Sequence, residues 1–168
     1  MPLLPRTTGF DLFSRQLTDS WGVSDSGHTW QGETSIHDSF YTAGTLGYGR
    51  VAVSSTDKAN KIVYLDVDAS ADQEVLVKMK WSTDNTTDNG PILRNVAGAN
   101  SNYFYVTLID SLNQFKIGVY KNGVRTVLAS ASKTFAKDTY YWVRAQITGT
   151  TFHAKVWAES REVPCLCV

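Results

Sequence analysis

The chain has 168 residues, the size of one domain, and its 16 basic and 16 acidic side chains cancel. Without a basic excess there is no cationic footprint to neutralise phosphates, so nucleic acid is not an expected partner. No apolar run approaches the ~20 residues of a membrane-spanning helix, and the abundance of Trp, Tyr, Phe, Val and Thr favours strands.

Residues 1–9 read as a lead-in, too short and proline-broken to act as a signal sequence. FDLF over 10–13 predicts a first strand. Trp21 and Trp30 then stand alone among turn formers, in DSWG and DSGHTW, the pattern of loops pinned to a sandwich by aromatic anchors. The glycines over 44–49 have the wrong spacing for a dinucleotide fingerprint, and Arg50-Val51-Ala52-Val53 after them reads as strand rather than helix. IVYLDVD over 62–68 and QEVLVKMKW over 73–81 follow as strands. In the second, Val75, Val77, Met79 and Trp81 face inward, with Glu74, Lys78 and Lys80 outward.

The polar loop over 82–91 contains Asp84, Asn85, Asp88, Asn89 and Gly90, whose oxygens suit Ca²⁺ but whose spacing matches no EF-hand. Turn chemistry is the preferred reading, so no cofactor is expected and Ca²⁺ is the weaker alternative. Asn85-Thr86-Thr87 is a formal glycosylation acceptor in a secretory setting. Arg94 lies on a short strand over 91–95, and NYFYVTLID over 102–110 is apolar on both faces, as a central strand would be. Phe115, Ile117 and Val119 alternate with Lys116, Gly118 and Tyr120. Asn122-Gly123 then has the sequence of a type I′ turn, which places Tyr120 opposite Arg125.

Residues 140–157, YYWVRAQITGTTFHAKVW, specify a hairpin most completely. With Gly149-Thr150 as a type II′ turn, Ile147 faces Phe152, Ala145 faces Ala154 and Val143 faces Val156 on one side. Gln146 then faces His153, Arg144 faces Lys155 and Trp142 faces Trp157 on the other. A slip of one residue would set every apolar side chain against a polar one. Arg144 and Lys155 repel in this register unless an acid, an aromatic ring or an anionic ligand relieves them.

No stretch has a sustained helical period, and strands recur about every ten residues, which predicts an all-β sandwich. The phrases DLFSR with WG and GHTW, then SNYF, YKNG, LAS and the 141–157 hairpin, resemble in their order the concanavalin A-like lectin/glucanase superfamily, including its laminin-G-like modules. They are also similar, more loosely, to modules of actinobacterial surface proteins and phage tail proteins. The resemblance implies an antiparallel two-sheet jelly roll over 10–158 with a concave ligand face and a C-terminal tail over 159–168. Such modules usually run on to a last strand that pairs near the first, and this chain departs from that pattern. Its first strand then has an open edge, or another chain covers it, or the module is truncated. Association at that edge, with a protein partner or a second copy, is the expectation.

Glucanases of the superfamily set carboxylates two apart on one strand face. Asp66-Val67-Asp68 is the only tight acidic pair with that spacing within a predicted strand, and it lacks a third acid. There is no Gly-x-Ser-x-Gly elbow and no His-Glu-x-x-His, and His28, His37 and His153 are scattered. Cys165 and Cys167 are too few for a structural zinc site, so no metal is expected. Sugar recognition needs only flat rings and a few planar polar groups on a firm sheet. Trp142, Trp157, Arg144, Lys155, His153 and Gln146 are candidates for it, with Tyr120 and Arg94 from neighbouring strands. The competing reading makes Trp142 and Trp157 a cross-strand pair beneath a covering loop. The expectation is an extracellular or virion module that binds a glycan or other polymer surface without catalysis. A structural assembly subunit is the alternative, and a glycosidase ranks third.

Overall fold

In the computed structural model every regular element is a strand, as the two-residue alternation demands, and no helix occurs among the described residues. The structure describes residues 9, 11–17, 20–32, 40–42, 49–51, 63–65, 71–81, 89–96, 102–109, 111–159 and 165–167. The strands are β1 (Trp30–Gly32), β2 (Phe40–Thr42), β3 (Gly49–Val51), β4 (Val63–Leu65), β5 (Gln73–Met79) and β6 (Ile92–Val96), followed by β7 (Asn102–Ile109), β8 (Gln114–Lys121), β9 (Val124–Ser132), β10 (Tyr141–Thr148), β11 (Thr151–Ala158) and β12 (Cys165–Cys167). They fall into two compact units, Met1–Asp68 and Ala69–Val168.

The first unit holds two short antiparallel pairs, β1 with β4 and β2 with β3. Its described part is organised around Asp11, whose side chain is only 2% exposed. Arg15 forks onto the carboxylate through Nη1 and Nη2, the Phe13 amide donates to Oδ1, and Trp30 donates its indole N–H to Oδ2. Arg15 also reaches the Trp21 carbonyl, and the rings of Phe13, Trp21 and Trp30 pack with centroids 5.0 to 5.7 Å apart. The lone tryptophans of the sequence thus anchor each other.

The strand expected over 10–13 does not form at 11–13, while Phe10 lies outside the described residues. Phe13 has φ 54°, which no strand accommodates, because the Asp11 side chain captures its amide in a local turn.

The second unit is a β-sandwich of two antiparallel sheets, ordered β12-β11-β10-β5 and β6-β7-β8-β9. The alternation seen in the sequence supplies its core: Val106, Leu108, Phe115 and Ile117 from one sheet meet Val143, Ala145, Ile147, Phe152, Ala154 and Val156 from the other. Phe104 meets Phe152 edge to face at 5.6 Å across this layer. One end is closed by Trp81, stacked on Tyr141 at 5.5 Å, with Phe135 packed edge-on to both. Tyr141 keeps its hydroxyl satisfied there by accepting from the Ala136 amide at 2.8 Å.

The 140–157 hairpin has the register its alternation dictates, from Tyr141 opposite Ala158 to Thr148 opposite Thr151. Gly149 has φ 57° and Thr150 no positive φ, as a type II′ turn requires. In the β8–β9 hairpin both Asn122 (φ 51°) and Gly123 (φ 80°) are left-handed, the type I′ pattern, and Tyr120 lies opposite Arg125. β7 lies between β6 and β8 with both faces buried, as its apolar sequence predicts. The tail over 159–168 contains a strand that sequence patterning missed, β12, which pairs with β11 so that Cys165 is opposite Lys155 and Cys167 opposite His153.

Candidate binding surface

The face of β5, β10 and β11 turned away from the core is a grid fixed by register. Glu74, Gln146 and His153 form one row across the three strands; Leu76, Arg144 and Lys155 form the next; Lys78, Trp142 and Trp157 form the third. Six of the expected site residues therefore share one surface: Trp142, Trp157, Arg144, Lys155, His153 and Gln146. All six are half-buried, and β5 adds exposed Leu76 to the middle of the grid.

The third row is a ladder of cations and rings. Lys78 Nζ lies 4.6 Å from the centroid of Tyr140 and 5.8 Å from that of Trp142, Lys80 Nζ lies 5.0 Å from Tyr140, and Trp142 is near-parallel to Trp157 at 6.5 Å. Such contacts are worth about 0.5–1 kcal/mol each at exposed sites. Trp142 is thus placed between Lys78 and Trp157, with neighbours on both sides. Trp157 ends the ladder among the described residues, and β12 lies beyond β11 on that side. Glu159 neutralises Lys78.

Arg144 faces Lys155 as the sequence predicts, but its charge is matched from the other side. Nε and Nη2 of Arg144 donate to the two carboxylate oxygens of Glu74 at 3.0 and 2.8 Å, and this raises the arginine pKa above its usual value. Glu74 approaches from β5, on the far side of Arg144 from Lys155, so it does not lie between the two cations. Arg144 is thereby committed to a structural pair, whereas Lys155 makes no ion pair among the described residues.

Tyr120 and Arg94 belong to the other sheet. Tyr120 is an odd number of residues from core-facing Phe115 and Ile117, so it points away from the core, where it stacks on Tyr103 at 5.0 Å. With Arg94, Asn102 and Lys121 it borders a cavity of about 340 Å³. Arg94 interrupts β6 with φ 50°, and its backbone amide donates to Gln73 Oε1 at 2.6 Å. Its guanidinium donates to the Ala71 carbonyl at 2.6 Å and the Gly149 carbonyl at 2.9 Å. Asp72 completes the arrangement by accepting from the Gly149 amide at 2.8 Å. Arg94 is therefore a clamp that ties the β6 bulge to the β10–β11 turn of the facing sheet.

Sequence reasoning identified the outward residues of β5 but not their neighbours. Alternation says which way Glu74 and Lys78 point, and only sheet order says that β5 flanks β10. Asp66, Asp68, His37 and the Ca²⁺-donor candidates Asp84, Asn85 and Asp88 lie outside the described residues. Comparisons of the chain with protein-family models, with curated proteins and with solved structures return no match.

Proposed function

We propose that the chain is a non-catalytic recognition module of the concanavalin A-like, jelly-roll kind, that its ligand is a carbohydrate, and that it serves a cell-surface or phage tail protein. The observation that carries this reading is the three-stranded outer face, where half-buried Trp157 and Trp142 stand beside Gln146, His153, Arg144 and Lys155 on one firm sheet. A sugar's C–H face packs on an indole, and the ammonium one row away and the amide and imidazole two rows away meet hydroxyls along the chain. Backbone pairing on both sides of β10 fixes these groups before a ligand arrives, which lowers the ordering cost of binding.

A glycan array with the intact chain tests this. Binding to defined glycans that Trp157→Ala removes, with thermal unfolding unchanged, supports it. Unchanged affinity in both Trp142→Ala and Trp157→Ala sinks it.

A structural assembly subunit is favoured by a different observation. Among the described residues β9 is the last strand of its sheet, and its Val124, Val127 and Leu128 are 64%, 49% and 46% exposed, an apolar border of the kind that joins chains. Stable oligomers on a sizing column, with no glycan bound, favour that reading.

A further inference from the structure

Within the three rows of the outer face of β5, β10 and β11 lie three cations, two of which already have carboxylate partners, and Lys80, past the end of β5, lies against Tyr140. Arg144 is held by Glu74 and Lys78 by Glu159. Lys155 has none among the described residues. Directly opposite it is Arg144, and its neighbours along the same face of β11 are His153 and Trp157. The Arg144–Glu74 pair is neutral overall, so the unmatched charge of the middle row is the Lys155 ammonium, and its half-buried position limits how fully water screens it. An anion over the middle of the grid would match that charge.

We infer that the ligand of this face is an acidic polysaccharide, with a sugar ring packed on Trp157 and its carboxylate or sulfate met by Lys155. The inference rests on the glycan reading above and adds to it the charge of the ligand. Residues two apart along a strand are separated by about 7 Å, enough for half a sugar ring on Trp157 and one charge-assisted hydrogen bond to Lys155. The arrangement is local. The whole chain is electrically balanced, so attraction to polyanions has to come from this surface rather than from net charge.

The test is affinity electrophoresis of the intact chain against three polymers: polygalacturonate, dextran sulfate and neutral dextran. Wild type is expected to bind at least one of the two acidic polymers more tightly than dextran, and which one identifies the anionic group as carboxylate or sulfate. Lys155→Gln should weaken that binding about fivefold, Lys155→Arg should retain it, and both variants should unfold at the wild-type temperature. Trp157→Ala should weaken binding to every polymer that wild type retains. Equal binding of acidic polymer by wild type and Lys155→Gln, or equal binding of dextran and the acidic polymers, overturns the inference while leaving the glycan reading intact. Absence of binding to all three, together with an empty glycan array, overturns both.

Discussion

Arg144 grips Glu74 with two parallel hydrogen bonds across the β5–β10 boundary, and so presents Lys155 with a cation whose charge is already matched. The pair is partly solvent-exposed, so its contribution to stability is small. Glu74→Gln is expected to change unfolding stability by less than about 1 kcal/mol in urea titration. It leaves Arg144 and Lys155 as unrelieved neighbours, so the variant should gain more stability from added salt than wild type does. An identical salt response would show that the two cations do not interact.

Arg94 joins the two sheets from a left-handed backbone position. Arg94→Ala loses the hydrogen bonds to Ala71 and Gly149 while keeping an L-residue at positive φ, with an expected cost of about 1–3 kcal/mol. Arg94→Gly loses the same bonds but accepts the backbone, so it should be more stable than Arg94→Ala by roughly 1 kcal/mol. Urea denaturation of the two variants checks the order, and Arg94→Ala as the more stable protein would contradict it.

Gly118 lies under the ring of Tyr105, whose hydroxyl donates to the Thr126 carbonyl at 3.1 Å. A Cβ at residue 118 would lie 2.3 Å from Cζ and Oη of Tyr105 and 2.4 Å from the Thr126 oxygen. Arg125 adds its guanidinium to the same ring, 4.2 Å from the centroid. Gly118→Ala is expected to cost about 1–3 kcal/mol by overpacking. In a double-mutant cycle, Tyr105→Ala should relieve part of that loss, the remainder being the contact with the Thr126 backbone.

Asp11 gives the first unit a defined acid response. Burial alone would raise its carboxyl, but the hydrogen bonds from Arg15, Trp30 and the Phe13 amide outweigh burial and hold it below the usual aspartate range. A carboxyl whose folded pKa is depressed stabilises the fold above the unfolded value of about 4, and that contribution is lost as pH falls through the folded value. Tryptophan fluorescence on acid titration should therefore stay level from neutral pH to about pH 4 and change below it. Asp11→Asn should show the altered signal of Trp21 and Trp30 already at neutral pH. A wild-type change centred above pH 5 would assign the response to another group.

Alternation over 141–157 was enough to determine the β10–β11 register, because a shift by one residue would bury Arg144, Gln146 and Lys155 and expose Val143, Ala145 and Ile147. The Asn-Gly turn, the buried β7 and the all-β class were legible for the same reason: each is written in local chemistry, the two-residue period or the need for positive φ. FDLF shows where that logic stops, since an aspartate side chain that captures the Phe13 amide defeats strand propensity in a way that residue order alone does not reveal.

Sheet order is a non-local fact, and the character of the candidate surface depends on it. Only the tertiary structure brings Glu74 beside Arg144, Lys78 beside Trp142 and Glu159 onto Lys78. It also puts Tyr120 on the other sheet and has Arg94 tie β6 to the β10–β11 turn. Sequence determined which side chains point out of each strand, through the pleat. Tertiary structure decided which charges they meet there, because that depends on which strand lies alongside.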